Sequence, residues 1–209
     1  MALAGLFLMT FLLVHLAINL LLLFDNSRGL FNIAAHFMGT NPFIQIFQWV
    51  LLGGFAIHMI IGIILQIQNW MARPKRYNKK AISEKSYFSK FMIHTGIVIL
   101  IFLIIHLADF FIKKITGMVP EIHGGELAGM EDMGILVIEK FKMGGYVLFY
   151  VLILLILGFH LDHAFQSAFQ SLGLNHDKYT SFIKWLSHLI AILITVGYIS
   201  IPVCIYFFK

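Results

Sequence analysis

Residues 144–170 read GGYVLFYVLILLILGFHLDHAFQSAFQ. From Gly144 to Phe159 no side chain is charged; His160, Asp162 and His163 then arrive together. The run is too long for a strand of a membrane barrel and lacks period-two alternation. It is long enough to cross a bilayer as a helix, which takes about 20 mostly apolar residues. Four more stretches qualify, roughly 2–24, 44–68, 91–112 and 182–207. The sequence therefore predicts an all-α integral membrane protein. It is one domain over 1–209, a five-transmembrane-helix bundle without an internal repeat.

Composition agrees. Of 209 residues, 60% are hydrophobic and only 12% are charged, and the mean hydropathy is +0.89. A soluble domain carries roughly 25% charged residues, so a globular domain, a nucleic-acid module and a disordered tail are all excluded. One cysteine, Cys204, excludes a disulfide framework, a Cys-ligated zinc site and an iron–sulfur cluster. The first span lacks a charged leading region and a small-residue cleavage site before Asp25, so it reads as a retained helix. The sequence opens almost inside that helix, and a clipped gene start is one expectation.

Loop charge predicts orientation. Arg73, Lys75, Arg76, Lys79, Lys80, Lys85 and Lys90 follow span two against the single acid Glu84. The loop after span three carries Glu121, Glu126, Glu131, Asp132 and Glu139 against four lysines. The basic loop belongs in the cytoplasm. The N-terminus is then inside, 25–43 and 113–143 are outside, 173–181 is inside and Lys209 is outside. Trp70 and Trp185 fall at the inner interface and Trp49 near the outer one, as aromatic belts predict. The net charge of +5 reads as topology and attraction to anionic lipid.

Ten histidines equal the acids in number. His15, His58, His106 and His160 each lie well inside a different apolar span. An ionisable group there is costly and marks function by default, although a single such histidine can equally be a packing residue. His58 and His160 each lie about 16 residues below the outer end of their spans, roughly 24 Å at 1.5 Å per residue. His15 lies about 10 residues and His106 about 7 residues from the outer edge, roughly 15 and 10 Å. The four form an inner pair, His58 with His160, and an outer pair, His15 with His106. Two facing imidazoles at one depth are what a bis-histidine haem needs, and helix bundles build cofactor sites in this way. Gly54, His58 and Gly62 share one face; the glycines either leave room for a macrocycle or mark close helix packing. His160, His163, Ala164, Ser167 and Ala168 form a small polar stripe that suits either a cofactor or a tight seam. A bundle enclosing two haems with both axial positions filled carries electrons rather than binding substrate at iron. The chain has no flavin or nicotinamide fingerprint, so the electron partner sits on another subunit.

These residues resemble a known family, the dihaem cytochrome b membrane anchor of bacterial succinate dehydrogenases and fumarate reductases. The resemblance covers essentially the whole chain. It rests on a buried histidine in each of the first four spans and on FNIAAHFMGTNPF (31–43). It rests also on TGIVILIFLIIHL (95–107) and FHLDHAFQSAFQSLGL (159–174). It implies two b haems, one on His58 and His160 and one on His15 and His106. It implies a quinone, menaquinone by the family's habit. The implied partners are a flavoprotein and an iron–sulfur subunit on the cytoplasmic face of a bacterial inner membrane, with complexes able to dimerise. The chain would then be a subunit of the enzyme, carrying haem and quinone sites but not the flavin site. Two departures stand out. The family's cytoplasmic segment before span one is lacking, which leaves docking there open. The glutamate that some members place two residues before the span-four ligand is Gly158, so that proton route is not carried over.

Other histidines follow. His163 either contacts a haem propionate or replaces His160 as ligand; the resemblance favours His160. His94 and Lys90 either meet propionates or are an interfacial histidine and a snorkelling lysine. His36 lies near the outer haem or a quinone, or caps its loop. His188 has no mid-span partner and reads as structural, while His123 and His176 read as solvent-exposed. Asp109 is expected to face the outer headgroups, with a role in proton release attached to it. Two other functions fit the same residues: a cytochrome b subunit of a hydrogenase or formate dehydrogenase, and a proton-coupled transporter with a histidine relay. The second has no broken helix or repeat pair to support it.

Overall fold

A backbone in hydrocarbon must satisfy its own polar groups, which leaves helices as the spanning form when no barrel closes. The computed structural model describes residues 1–72, 91–174 and 176–209. It is 84% helical and has no strand among the described residues. Five helices are long and apolar enough to cross a membrane, the architecture of a multi-pass membrane protein. They are α1 (Ala2–Phe24), α3 (Pro42–Met71), α4 (Met92–Ile115), α6 (Gly144–Ser171) and α7 (Asp177–Phe208). Two short helices that the sequence reading left within loops, α2 (Gly29–Thr40) and α5 (Met133–Phe141), lie at one end of the bundle, the capped end.

Local chemistry starts and stops these elements. Asn41 accepts from the backbone N–H groups of Phe43 and Ile44, and Pro42 fills the first helical position of α3, where its missing N–H costs nothing. Asp132 caps α5 by accepting from the Ile135 N–H. Lys209 donates to the carbonyls of Leu22 and Asp25 and so covers the last turn of α1. Within α4, residues Leu107–Ile112 form a turn of π-helix directly after His106. Such a widened turn shifts the facing of everything beyond it and recurs at functional sites.

Packing divides the bundle in two. Helices α1, α6 and α7 form a tight trio, with the most extensive seam between α6 and α7. Without a hydrophobic drive between helices, small residues set how closely backbones approach. A Cβ on Gly158 of α6 would come within 2.3 Å of Thr195 Oγ1 on α7, and one on Gly197 of α7 within 2.8 Å of Leu16 on α1. Helices α3 and α4 are different. No residue of α3 is buried, nor any in the Met92–His106 part of α4. Helix α3 leans on α1, α4 leans on α6, and the two meet each other only weakly. The glycines beside His58 serve this leaning: Gly54 faces Phe7 of α1 and Gly62 faces Met1, the residue before α1.

The capped end is held by one buried carboxylate. Asp132 accepts from Arg28 at 2.8 and 3.3 Å, from Asn32 at 2.8 Å and from the Ile135 N–H at 2.9 Å. The Asn32 carbonyl in turn accepts from the Gly134 N–H at 2.9 Å. Arg28 takes a left-handed backbone (φ 63°) to reach this place, a cost that its ion pair offsets. Burial pushes the Asp132 carboxyl up, but the bonds from Arg28, Asn32 and Ile135 outweigh it and hold it below the usual carboxylate range.

Because its folded value is depressed, Asp132 contributes stability that is complete above about pH 4 and is lost as pH falls through the folded value. Asp132→Asn should lower stability at neutral pH by about 2 kcal/mol and flatten the acid limb. Thermal melts in detergent from pH 7 to pH 3 measure both effects. Equal acid sensitivity in the variant and the parent would contradict this role.

Candidate functional site in the bundle core

The four histidines are divided between the tight trio and the leaning pair. His15 is on α1 and His160 on α6; His58 is on α3 and His106 on α4. Neither α1 with α4 nor α3 with α6 forms a packed seam among the described residues. Each predicted pair is therefore carried by two helices that do not pack on one another.

His15 and His106 stand with ring centroids 5.8 Å apart and planes nearly perpendicular, at 88°. Each is stacked by a phenylalanine one turn earlier in its own helix. Phe11 lies 5.3 Å from His15 at 20°, and Phe102 lies 5.6 Å from His106 at 30°. This is the i, i+4 geometry of neighbours on one helical face. Asn19 holds the other side of His15, donating to its carbonyl at 2.7 Å with the amide nitrogen 3.4 Å from both ring nitrogens. His106 Nδ1 meets the Tyr150 hydroxyl at 3.1 Å. Both histidines line a cavity of about 480 Å³ with mainly apolar walls, in the range of small-molecule and cofactor sites. Gln48 and Lys114 add polar groups to its lining.

His160 is oriented by a threonine. The Thr95 hydroxyl donates to the Met92 carbonyl at 3.0 Å, which can only accept. Its oxygen, 3.0 Å from His160 Nδ1, then accepts from that nitrogen. That proton order suits the Nδ1–H tautomer of His160, which keeps a lone pair on Nε2. His58 lies near enough to interact with it electrostatically. The Nδ1 atom of His58 is buried and has no hydrogen-bond partner among the described residues, although Gly5 of α1 lies against the ring, its Cβ position 3.7 Å from Cε1.

Two imidazoles can share one metal from opposite sides with each nitrogen about 2 Å away, which puts their ring centres roughly 6 Å apart. The spacing of His15 and His106 is close to that. With its mainly apolar cavity, this pair fits a flat prosthetic group ligated on both faces. The unpaired nitrogen of His58 and the Thr95-held ring of His160 are donors compatible with a second.

The remaining candidates fall around these pairs. His163 is half-buried near His160. His94 is exposed, its ring 6.0 Å from that of Phe91. Lys90 and most of the basic loop lie outside the described residues. His36 is half-buried on α2; its neighbours Ala35 and Met38 line the cavity and it does not. His123 is exposed, and His176 caps α7 by accepting from the Lys178 N–H.

Two expectations are corrected. His188 has a partner: Asp162 Oδ1 lies 2.8 Å from its Nδ1 and also accepts from Ser187 at 2.6 Å and Gln166 at 3.0 Å. Asp109 turns inward rather than to headgroups, because the π turn aims it at Lys140 of α5 and Tyr146 of α6. Sequence reasoning missed Thr95, Tyr146, Tyr150 and Asp162. A lone acid in HLDH was a usable sign for Asp162. Tyr146 and Tyr150, one turn apart, were hidden because hydroxyls are common at membrane interfaces.

The position two residues before His160 has no room for a larger side chain. A side chain at Gly158 overlaps Thr195 of α7. Gly158→Ala should destabilise the bundle by about 1–3 kcal/mol, and Thr195→Ala in the same chain should recover part of the loss. A double-mutant cycle of melting temperatures tests the contact; additive effects would refute it. No family model, no curated protein and no solved structure matches the chain.

Proposed function

We propose that this chain is the dihaem cytochrome b anchor of a succinate:menaquinone oxidoreductase or fumarate reductase. The observation that carries the reading is the facing of His15 and His106 across a mainly apolar cavity between helices that do not pack. The second layer, His58 and His160, supports it with one orphaned nitrogen and one oriented ring. The succinate-linked assignment rests on the resemblance of residues 31–43, 95–107 and 159–174 to that family.

In this reading His15 and His106 hold one haem b, and His58 and His160 hold the other. A haem held between two imidazoles supplies one-electron exchange with its neighbours. The protein's part is to bind, orient and keep dry. Phe11 and Phe102 lock the planes of their histidines. Tyr150 and Thr95 engage the Nδ1 atoms, and the mainly apolar lining excludes water. His163, His94 and Lys90 are candidates for propionate contacts near the cytoplasmic end. His36 lies at the opposite, capped end, beside the cavity and a candidate quinone site. The basic loop faces the cytoplasm of a bacterial inner membrane, where the flavoprotein and iron–sulfur subunits dock, and electrons pass between them and membrane menaquinone.

Pyridine haemochrome assay of the purified chain should give about two b haems per polypeptide. His58→Ala or His160→Ala should remove one haem and leave the other; His15→Ala or His106→Ala should do the converse. Copurification with a covalent-flavin subunit supports the succinate assignment, whereas a nickel or molybdenum subunit would replace it. Membranes without haem would end the reading.

A further inference from the structure

A hydrogen-bonded chain runs from the capped end into the core. Lys140 on α5 pairs with Asp109 in the π turn of α4. The Tyr146 hydroxyl lies 2.7 Å from Asp109 Oδ2. An ionised carboxylate only accepts, so it takes the one proton that Tyr146 has. The Tyr150 hydroxyl lies 3.1 Å from that of Tyr146; with the single Tyr146 proton assigned to Asp109, this contact is a hydrogen bond only when Tyr150 donates. Tyr150 has then donated its own proton, and it meets His106 Nδ1, 3.1 Å away, as an acceptor. Every bond in the chain thus points from the imidazole N–H toward the carboxylate.

We propose that Tyr150 is a positioning residue for His106. It sets the Nδ1–H tautomer, leaves Nε2 as the electron-pair donor, and transmits the negative polarity of Asp109 to the ring. This rests on the reading that His15 and His106 hold a haem. A ligand imidazole whose N–H is bonded to a polarised acceptor is more basic. It favours the ferric over the ferrous state, so the chain holds down the midpoint potential of that haem. A tyrosine that merely filled space would not act on the potential.

The test is a stepwise redox titration of the haem-loaded chain, followed by the α-band. The haem of interest is the one lost in His106→Ala. Tyr150→Phe keeps the ring and removes the hydroxyl. It should raise that haem's midpoint by roughly a tenfold change in the reduction equilibrium, about 59 mV for one electron, and leave the other in place. Asp109→Asn keeps Tyr150 and should produce a smaller rise in the same haem. It carries the test if Tyr150→Phe does not retain haem. Two haems with unmoved midpoints in these variants overturn the proposal alone. A wild-type chain without haem overturns the parent reading, and this one with it.

Discussion

A bilayer offers a buried imidazole no water and no hydrogen-bond partner, and that constraint governs the interior of this bundle. Each polar group must find its complement on a neighbouring helix or remain unpaired at a cost. Most of them do find one. His106 meets Tyr150, His160 meets Thr95, and Asp162 gathers Ser187, Gln166 and His188. These bonds link α4 to α6 and α6 to α7, so the polar residues that look expensive in sequence also fix helix register. His58 Nδ1 and Thr195 Oγ1 are exceptions, buried with no partner among the described residues.

Close packing accounts for the rest of the architecture. Gly158 and Gly197 bring α6, α7 and α1 together until no added Cβ would fit without displacement. Helix α3 and the Met92–His106 part of α4 lack buried residues and lean on this trio, α3 on α1 and α4 on α6. The space they leave is where the histidine pairs face one another. A tight three-helix frame with two looser walls leaves a cavity of about 480 Å³ lined by His15 and His106. The cap formed by α2 and α5, tied through Asp132, closes one end of that space.

The π turn after His106 connects these themes. It turns Asp109 away from lipid and toward Lys140 and Tyr146, so an ion pair at the capped end is wired to a core histidine through two hydroxyls. Without the widened turn, Asp109 would follow an α-helical register, and the chain from carboxylate to imidazole would lack its end.

The sequence by itself determined the number of spans and their bounds to within a few residues. Those properties follow from hydropathy and helical rise, which are local. Helices α2 and α5 escaped notice because twelve and nine residues of mixed polarity lie below the length that hydropathy detects. Tertiary structure decided which residues serve the histidines. Tyr150 and Thr95 lie 44 and 65 residues from the rings they touch, and Asp162 lies 25 from Ser187. Such pairings depend on helix rotation and on which helices refuse to pack. Neither is written in the period of any one span, because each is set by the shapes of two helices at once.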